Sequence, residues 1–163
     1  MPGLKNEGRV LAPDLAGFGR TPIPQEGMTF SVLTDYLGRF LDAVGVRKAV
    51  LAGNSLGGAV VIRYAATHQD RASHLFLLDS AGLHGEVTIA AIQSETREMA
   101  RETVKALETV KALSGKKLDL PRFVLDDIVR RAKEPARQEY RDSDEPTNVS
   151  ESLPRIKAPT TIV

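Results

Sequence analysis

Apolar positions along the chain fall into two textures. Short runs that are apolar almost without interruption alternate with longer stretches in which apolar residues return every three or four positions. Arg9–Pro13 (Arg-Val-Leu-Ala-Pro) is the first short run and reads as a buried strand, ending in Asp14 and a glycine-punctuated loop, Leu15 to Pro22. Thr29 or Ser31 can then cap a helix carrying Val32, Leu33, Tyr36, Leu37, Phe40 and Leu41 on one face, with Gly45 as its stop. Lys48–Ala52 reads as a second strand, Leu56–Thr67 as a helix, and His74–Asp79 as a third strand.

Strand, helix, strand, helix, strand in this order predicts an α/β fold: a parallel sheet with flanking helices. The near-continuous apolar strands suit a sheet covered on both faces. After Gly85 the texture changes. Val87 to about Lys117 is rich in Glu, Lys, Arg and Ala, with Val104, Leu107, Val110 and Leu113 as a narrow apolar stripe. Glu102 with Lys105, and Glu108 with Lys111, stand at helix-neighbour spacing. Asp119 with Pro121 marks another helix start, and a third helical piece is expected around Pro135 to Arg141. Asp142 to Asn148 is a polar connector, and Ile156–Val163 enters a final strand. The resulting division is a core portion at 1–84, a helical insertion at 85–148, and a return to the core at 149–163.

Composition narrows the function classes. With 42% hydrophobic and 26% charged residues, the 163-residue chain has the make-up of an ordinary globular domain. A formal charge of +1 provides no net field to attract nucleic acid or an anionic membrane. The absence of cysteine removes disulfides and thiolate metal sites. Neither a signal-peptide core nor an apolar run of membrane-spanning length is present, so the expectation is a cytoplasmic protein.

The chemistry concentrates in Leu51-Ala52-Gly53-Asn54-Ser55-Leu56-Gly57-Gly58. A serine hydroxyl attacks a carbonyl only when it is exposed, aligned and relieved of its proton. Gly-x-Ser-x-Gly between an apolar strand and a helix supplies the geometric part. The serine sits on a sharp turn, the glycines at 53 and 57 admit the close approach of strand and helix, and Gly58 lets the helix lie against the sheet. The Leu56 amide, at the helix N-terminus, then points at a developing oxyanion. A phosphate-binding glycine turn is the alternative use of such a loop, but no Gly-x-Gly-x-x-Gly or Gly-Lys-Ser accompanies it.

With these residues in view, the chain resembles the central portion of a cap-bearing, cofactor-free α/β-hydrolase of the serine esterase-like kind. Pro13 to Thr21 resembles the loop after strand four, Gly53–Gly58 the nucleophile elbow after strand five, Leu77–Gly82 the end of strand six, and Ile156–Val163 the entry to strand seven. The resemblance implies an incomplete core of strands four to seven, with 85–148 as the cap. It implies Ser55 as nucleophile, the Leu56 backbone amide as oxyanion donor, Asn54 beside the substrate, and a small-molecule acyl substrate. The family's acid and histidine follow strands seven and eight, beyond Val163, and its second oxyanion donor follows strand three, ahead of Met1. A truncated product or fragment is therefore expected, with open sheet edges available for self-association.

Local residues offer one substitute. Asp79 ends the third strand and His84 follows it, which makes Asp79–His84–Ser55 a candidate acid–base–nucleophile set. The competing readings are Asp79 as a strand-end cap and His84 as a solvated loop residue. Asp14 reads as a turn organiser whose carboxylate bonds loop amides. The leading function is hydrolysis of an ester or related acyl bond. Carbon–carbon bond hydrolysis and haloperoxidase-like chemistry are alternatives on the same fold, and a non-catalytic remnant or binding module is the alternative of another class. Epoxide hydrolases and haloalkane dehalogenases use an aspartate where this chain has Ser55.

Overall fold

A computed structural model describes residues 8–83, 98–109, 122–133 and 148–163. Its centre is a three-stranded parallel sheet in the order β1-β2-β3, formed by Ala49–Asn54, Ala72–Leu78 and Thr160–Ile162. Parallel neighbours need a crossover connection, and between β1 and β2 that connection is α2, Leu56–Thr67.

The first helix, α1 (Phe30–Ala43), starts where a hydroxyl is available: the Thr29 side chain accepts from the Val32 amide at 3.2 Å. It buries Phe30, Leu33, Leu37 and Leu41, the stripe expected of a 3.6-residue period. At its other end the Gly45 amide bonds the Asp42 carbonyl and the Val46 amide bonds that of Leu41, with Gly45 at φ 71°. This is the Schellman arrangement, and it satisfies the last helical carbonyls.

α2 is apolar nearly all round, as a helix pressed between a sheet and another helix must be. Leu56, Ala59, Val60, Val61, Ile62, Tyr64, Ala65 and Ala66 are buried, and the helix contacts β1, β2 and α1. Each large aliphatic side chain so covered contributes about 1.5–3 kcal/mol.

The helical stretches 98–109 (α3) and Arg122–Lys133 (α4) fall inside the expected insertion. Lys105 and Glu102 form the anticipated exposed ion pair at 2.7 Å. The expected helix at Pro135–Arg141 and the remainder of Val87–Lys117 lie outside the described residues.

Two expectations are corrected. Arg9–Pro13 is not a strand: Val10 and Leu11 are exposed, and the backbone joins no ladder. An apolar run becomes a strand only when a neighbour takes its amides and carbonyls, and β1 pairs with β2 alone among the described residues. Nor do the described helices cover both faces of the sheet. Leu51, Leu75 and Leu77 point under α2, whereas Val50 and Phe76, one residue out of phase, are 58% and 40% exposed.

Candidate active site

Ser55 stands between β1 and α2, at φ 50° and ψ −121°, a backbone region that non-glycine residues rarely occupy. Several bonds hold it there. The Ser55 amide donates to the Leu78 carbonyl at 3.1 Å, and the Ser55 carbonyl accepts from Gly58 at 2.9 Å and Ala81 at 3.0 Å. The turn is therefore fixed from the neighbouring strand, from its own helix, and from the turn after β2.

Glycine is required at 53 because a Cβ there would run into the backbone of Gly57 and Gly58. A Cβ at Gly58 would meet the buried Ser80 side chain. Gly57 differs from expectation, since nothing lies within 4 Å of where its Cβ would be. The tight contact at the elbow is thus made by the backbone of Gly57 against Gly53, not by a crowded position 57.

The Leu56 amide opens α2. The first amides of a helix have no intrahelical carbonyl to bond. The Leu56 side chain is buried, which anchors that amide at the head of the helix. Asn54 donates its side-chain amide to the Leu78 carbonyl at 3.1 Å, so that one carbonyl receives both Asn54 and Ser55.

Asp79 is exposed and adopts φ 45°, and its amide donates to the Val163 carbonyl at 3.0 Å. It sits at the same carboxyl edge of the sheet as Ser55, one residue past β2. His84 lies outside the described residues. The other two histidines are elsewhere. His68 terminates α2, about 20 Å along the helix from Ser55, with its ring stacked on Tyr64 and its Nδ1 2.9 Å from the Thr67 hydroxyl. His74 lies early in β2, stacked on Phe76, with Nε2 3.0 Å from the Thr161 hydroxyl. Asp14 organises its loop as read from sequence: its carboxylate accepts from the Arg20 amide at 3.1 Å, and its carbonyl from the Thr21 hydroxyl at 2.9 Å.

Sequence reasoning passed over Ser80 and Ala81. Ser80 is buried against Gly58, and Ala81 fixes the Ser55 carbonyl. Neither residue type signals such a role. Among the described residues no group of three or more His, Cys, Asp or Glu is gathered as metal ligands.

A strained serine on a glycine-framed strand-to-helix turn in a parallel sheet defines a class, and the family comparison bears on the same point. Residues 1–142 match the family model described as alpha/beta hydrolase fold. The chain belongs to that family. It is 37% identical over 89 residues to the 2-hydroxymuconate semialdehyde hydrolase of Pseudomonas sp. (strain CF600), a match covering 54% of this chain and 31% of that protein. It is likewise 37% identical over 90 residues to the 2-hydroxy-6-oxo-2,4-heptadienoate hydrolase of Pseudomonas putida, covering 54% of this chain and 32% of that one. Among solved structures, the meta-cleavage product hydrolase CumD of Pseudomonas fluorescens IP01 superposes with a TM-score of 0.69 at 23% identity, over 99% of this chain and 62% of that chain. The chain thus matches about a third of the length of these curated relatives. No helix among the described residues is long and apolar enough to cross a membrane.

Proposed function

We propose that the chain carries the nucleophile-bearing part of a serine hydrolase that cleaves a carbon–carbon bond beside a ketone in a ring-cleavage dienoate. The observation that carries the serine chemistry is Ser55 held at φ 50° with the Leu56 amide at the head of α2 beside it. The relatives at 37% identity, named for dienoate and semialdehyde substrates, support carbon–carbon cleavage over ester hydrolysis.

In this reading the Ser55 hydroxyl adds to the ketone carbonyl as its proton passes to a base. The carbonyl oxygen becomes an oxyanion held by the Leu56 amide. The bond to the dienol fragment breaks, that fragment takes a proton, and water hydrolyses the acyl-serine. Neither His68 nor His74 is placed to serve as the base. The role falls to His84, paired with Asp79, or to a histidine outside these residues. The 85–148 segment, to which α3 and α4 belong, is the cap over the substrate.

Ester hydrolysis is the second reading, since the Ser55–Leu56 arrangement is indifferent to the group that leaves. A fluorophosphonate probe with dienoate and p-nitrophenyl acetate turnover decides among the readings. The expected result is labelling abolished by Ser55→Ala, with dienoate turned over in preference to ester. Ester preference selects the second reading, and an unlabelled chain establishes a non-catalytic module. Loss of turnover in His84→Ala assigns the base to His84, and unchanged turnover removes it.

A further inference from the structure

A closed circuit of contacts joins the Ser55 carbonyl to the point where the chain returns at Asn148. Ser55 caps α2, and about two turns along that helix Arg63 donates from Nη2 to the Asn148 carbonyl at 3.3 Å. The same guanidinium lies over the Phe30 ring, 4.4 Å from its centroid. The next residue, Val149, is fully buried, and its amide donates to the Gly82 carbonyl at 3.4 Å. Ala81, beside Gly82, donates its amide to the Ser55 carbonyl. The return is secured on its far side as well: the Ser152 and Leu153 amides bond the Val149 carbonyl, and the 3₁₀ turn Leu153–Arg155 packs on α2.

Backbone in a sparsely populated region persists only where its surroundings over-determine it. The Ser55 amide is held by β2, and Gly58 belongs to α2 itself. Ala81 provides a restraint on the Ser55 carbonyl from outside both. It belongs to the turn after β2, and that turn is buttressed by the Asn148–Val149 return. Arg63 suits the task because its planar fork can bond a carbonyl while its face stacks on an aromatic ring.

We propose that Arg63 is a positioning residue for Ser55. It holds the Asn148–Val149 return against Gly82, which keeps the Ala81 amide on the Ser55 carbonyl and so fixes the aim of the Ser55 hydroxyl. The proposal rests on Ser55 being the nucleophile for its reactivity arm alone.

The test is amide hydrogen exchange on the 163-residue chain with Arg63→Ala, Arg63→Lys and Phe30→Leu, alongside fluorophosphonate labelling. In Arg63→Ala the Ala81 and Val149 amides should exchange about five- to tenfold faster, as loss of a charged hydrogen bond and a cation–π contact implies. The Leu51 and Leu77 amides should be unchanged. Arg63→Lys, which retains a cation above Phe30, should fall between, and Phe30→Leu should shift the same two amides by less. The limiting rate of Ser55 labelling should fall about fivefold with the half-saturating probe concentration unchanged. Equal protection at Ala81 and Val149 in all variants overturns the proposal, as does a uniform loss across the sheet. Faster exchange at Ala81 with unaltered labelling overturns the link to Ser55. Absence of labelling in the parent chain refutes the nucleophile reading instead, and the exchange arm still decides whether Arg63 holds the circuit.

Discussion

At its amino end α2 begins on Ser55, which has a rare backbone conformation and no side-chain capping bond. At its carboxyl end it finishes on His68, amid side chains that bond and stack on one another. There Thr67 bonds His68 and the Arg63 carbonyl, Tyr64 stacks on His68, and Arg71 meets Asp42 at 2.7 Å and the Val46 carbonyl at 3.0 Å. Histidine, tyrosine and arginine side chains are gathered at the end where they have structural partners. The Ser55 end is made of backbone and glycine. The strained backbone stands at the Ser55 end.

The largest effect should come from Gly53→Ala, which drives a Cβ into the backbone of Gly57 and Gly58. Backbone cannot rotate away as a side chain can, so the expected loss is about 3 kcal/mol, the upper range for overpacking. Urea denaturation measures it. The same change made at Gly57, where the Cβ meets nothing, should cost far less and thereby separates the two elbow glycines.

Replacing Ser55 comes next. Ser55→Ala keeps a Cβ at positive φ and should leave stability near that of the parent, whereas Ser55→Gly relieves the strain. Relief of about 1–3 kcal/mol less the entropic cost of glycine, about 0.5–1 kcal/mol, leaves Ser55→Gly the more stable by about 1 kcal/mol. Equal midpoints for the two variants would show that Ser55 is unstrained.

The carboxyl end should give a change no larger than that, and of opposite sign to Gly53→Ala. Among the described residues the Tyr64 hydroxyl is buried without a hydrogen-bond partner. Tyr64→Phe removes a desolvated group that bonds nothing and should stabilise by about 1 kcal/mol. Burial also raises the Tyr64 pKa above its ordinary 10.0, opposed by the nearby Arg71 cation. The unfolded chain therefore gives up this proton first. Above pH 10.0 the folded state binds more protons, and stability falls as pH rises. The decline between pH 9 and 11 should be shallower in Tyr64→Phe, measured as the difference between the two midpoints at each pH.

What was legible in the sequence was whatever is decided locally. Leu56–Thr67 matches its helix because glycine-framed turn and apolar periodicity both lie within a dozen residues. Thr29 and Gly45 bound α1 by capping chemistry that is itself local. Asp14 could be read as a turn organiser because its partner, Arg20, is six residues away. Arg9–Pro13 failed because a strand is a property of two segments, and hydropathy reports on one. β2 starts at Ala72, earlier than the apolar run suggests, because its ladder with β1 begins at Ala49↔Ala72, among residues of little hydrophobic signal. At the site, Ser55 and its glycines were visible, but the Ala81 restraint and the Arg63–Asn148 contact were not. The latter spans 85 positions and joins a backbone carbonyl to an arginine like any other.

The pairing of Gly82 with Val149 makes the way out of this core and the way back a single doorway, one hydrogen bond wide. The closure cost of a flexible connection grows only slowly with its length. A doorway of this kind is therefore nearly indifferent to what hangs from it. The intervening chain can lengthen, shorten or be exchanged between descendants while β1, α2 and β2 keep their register. Changes in that chain can then accumulate without renegotiating the elbow.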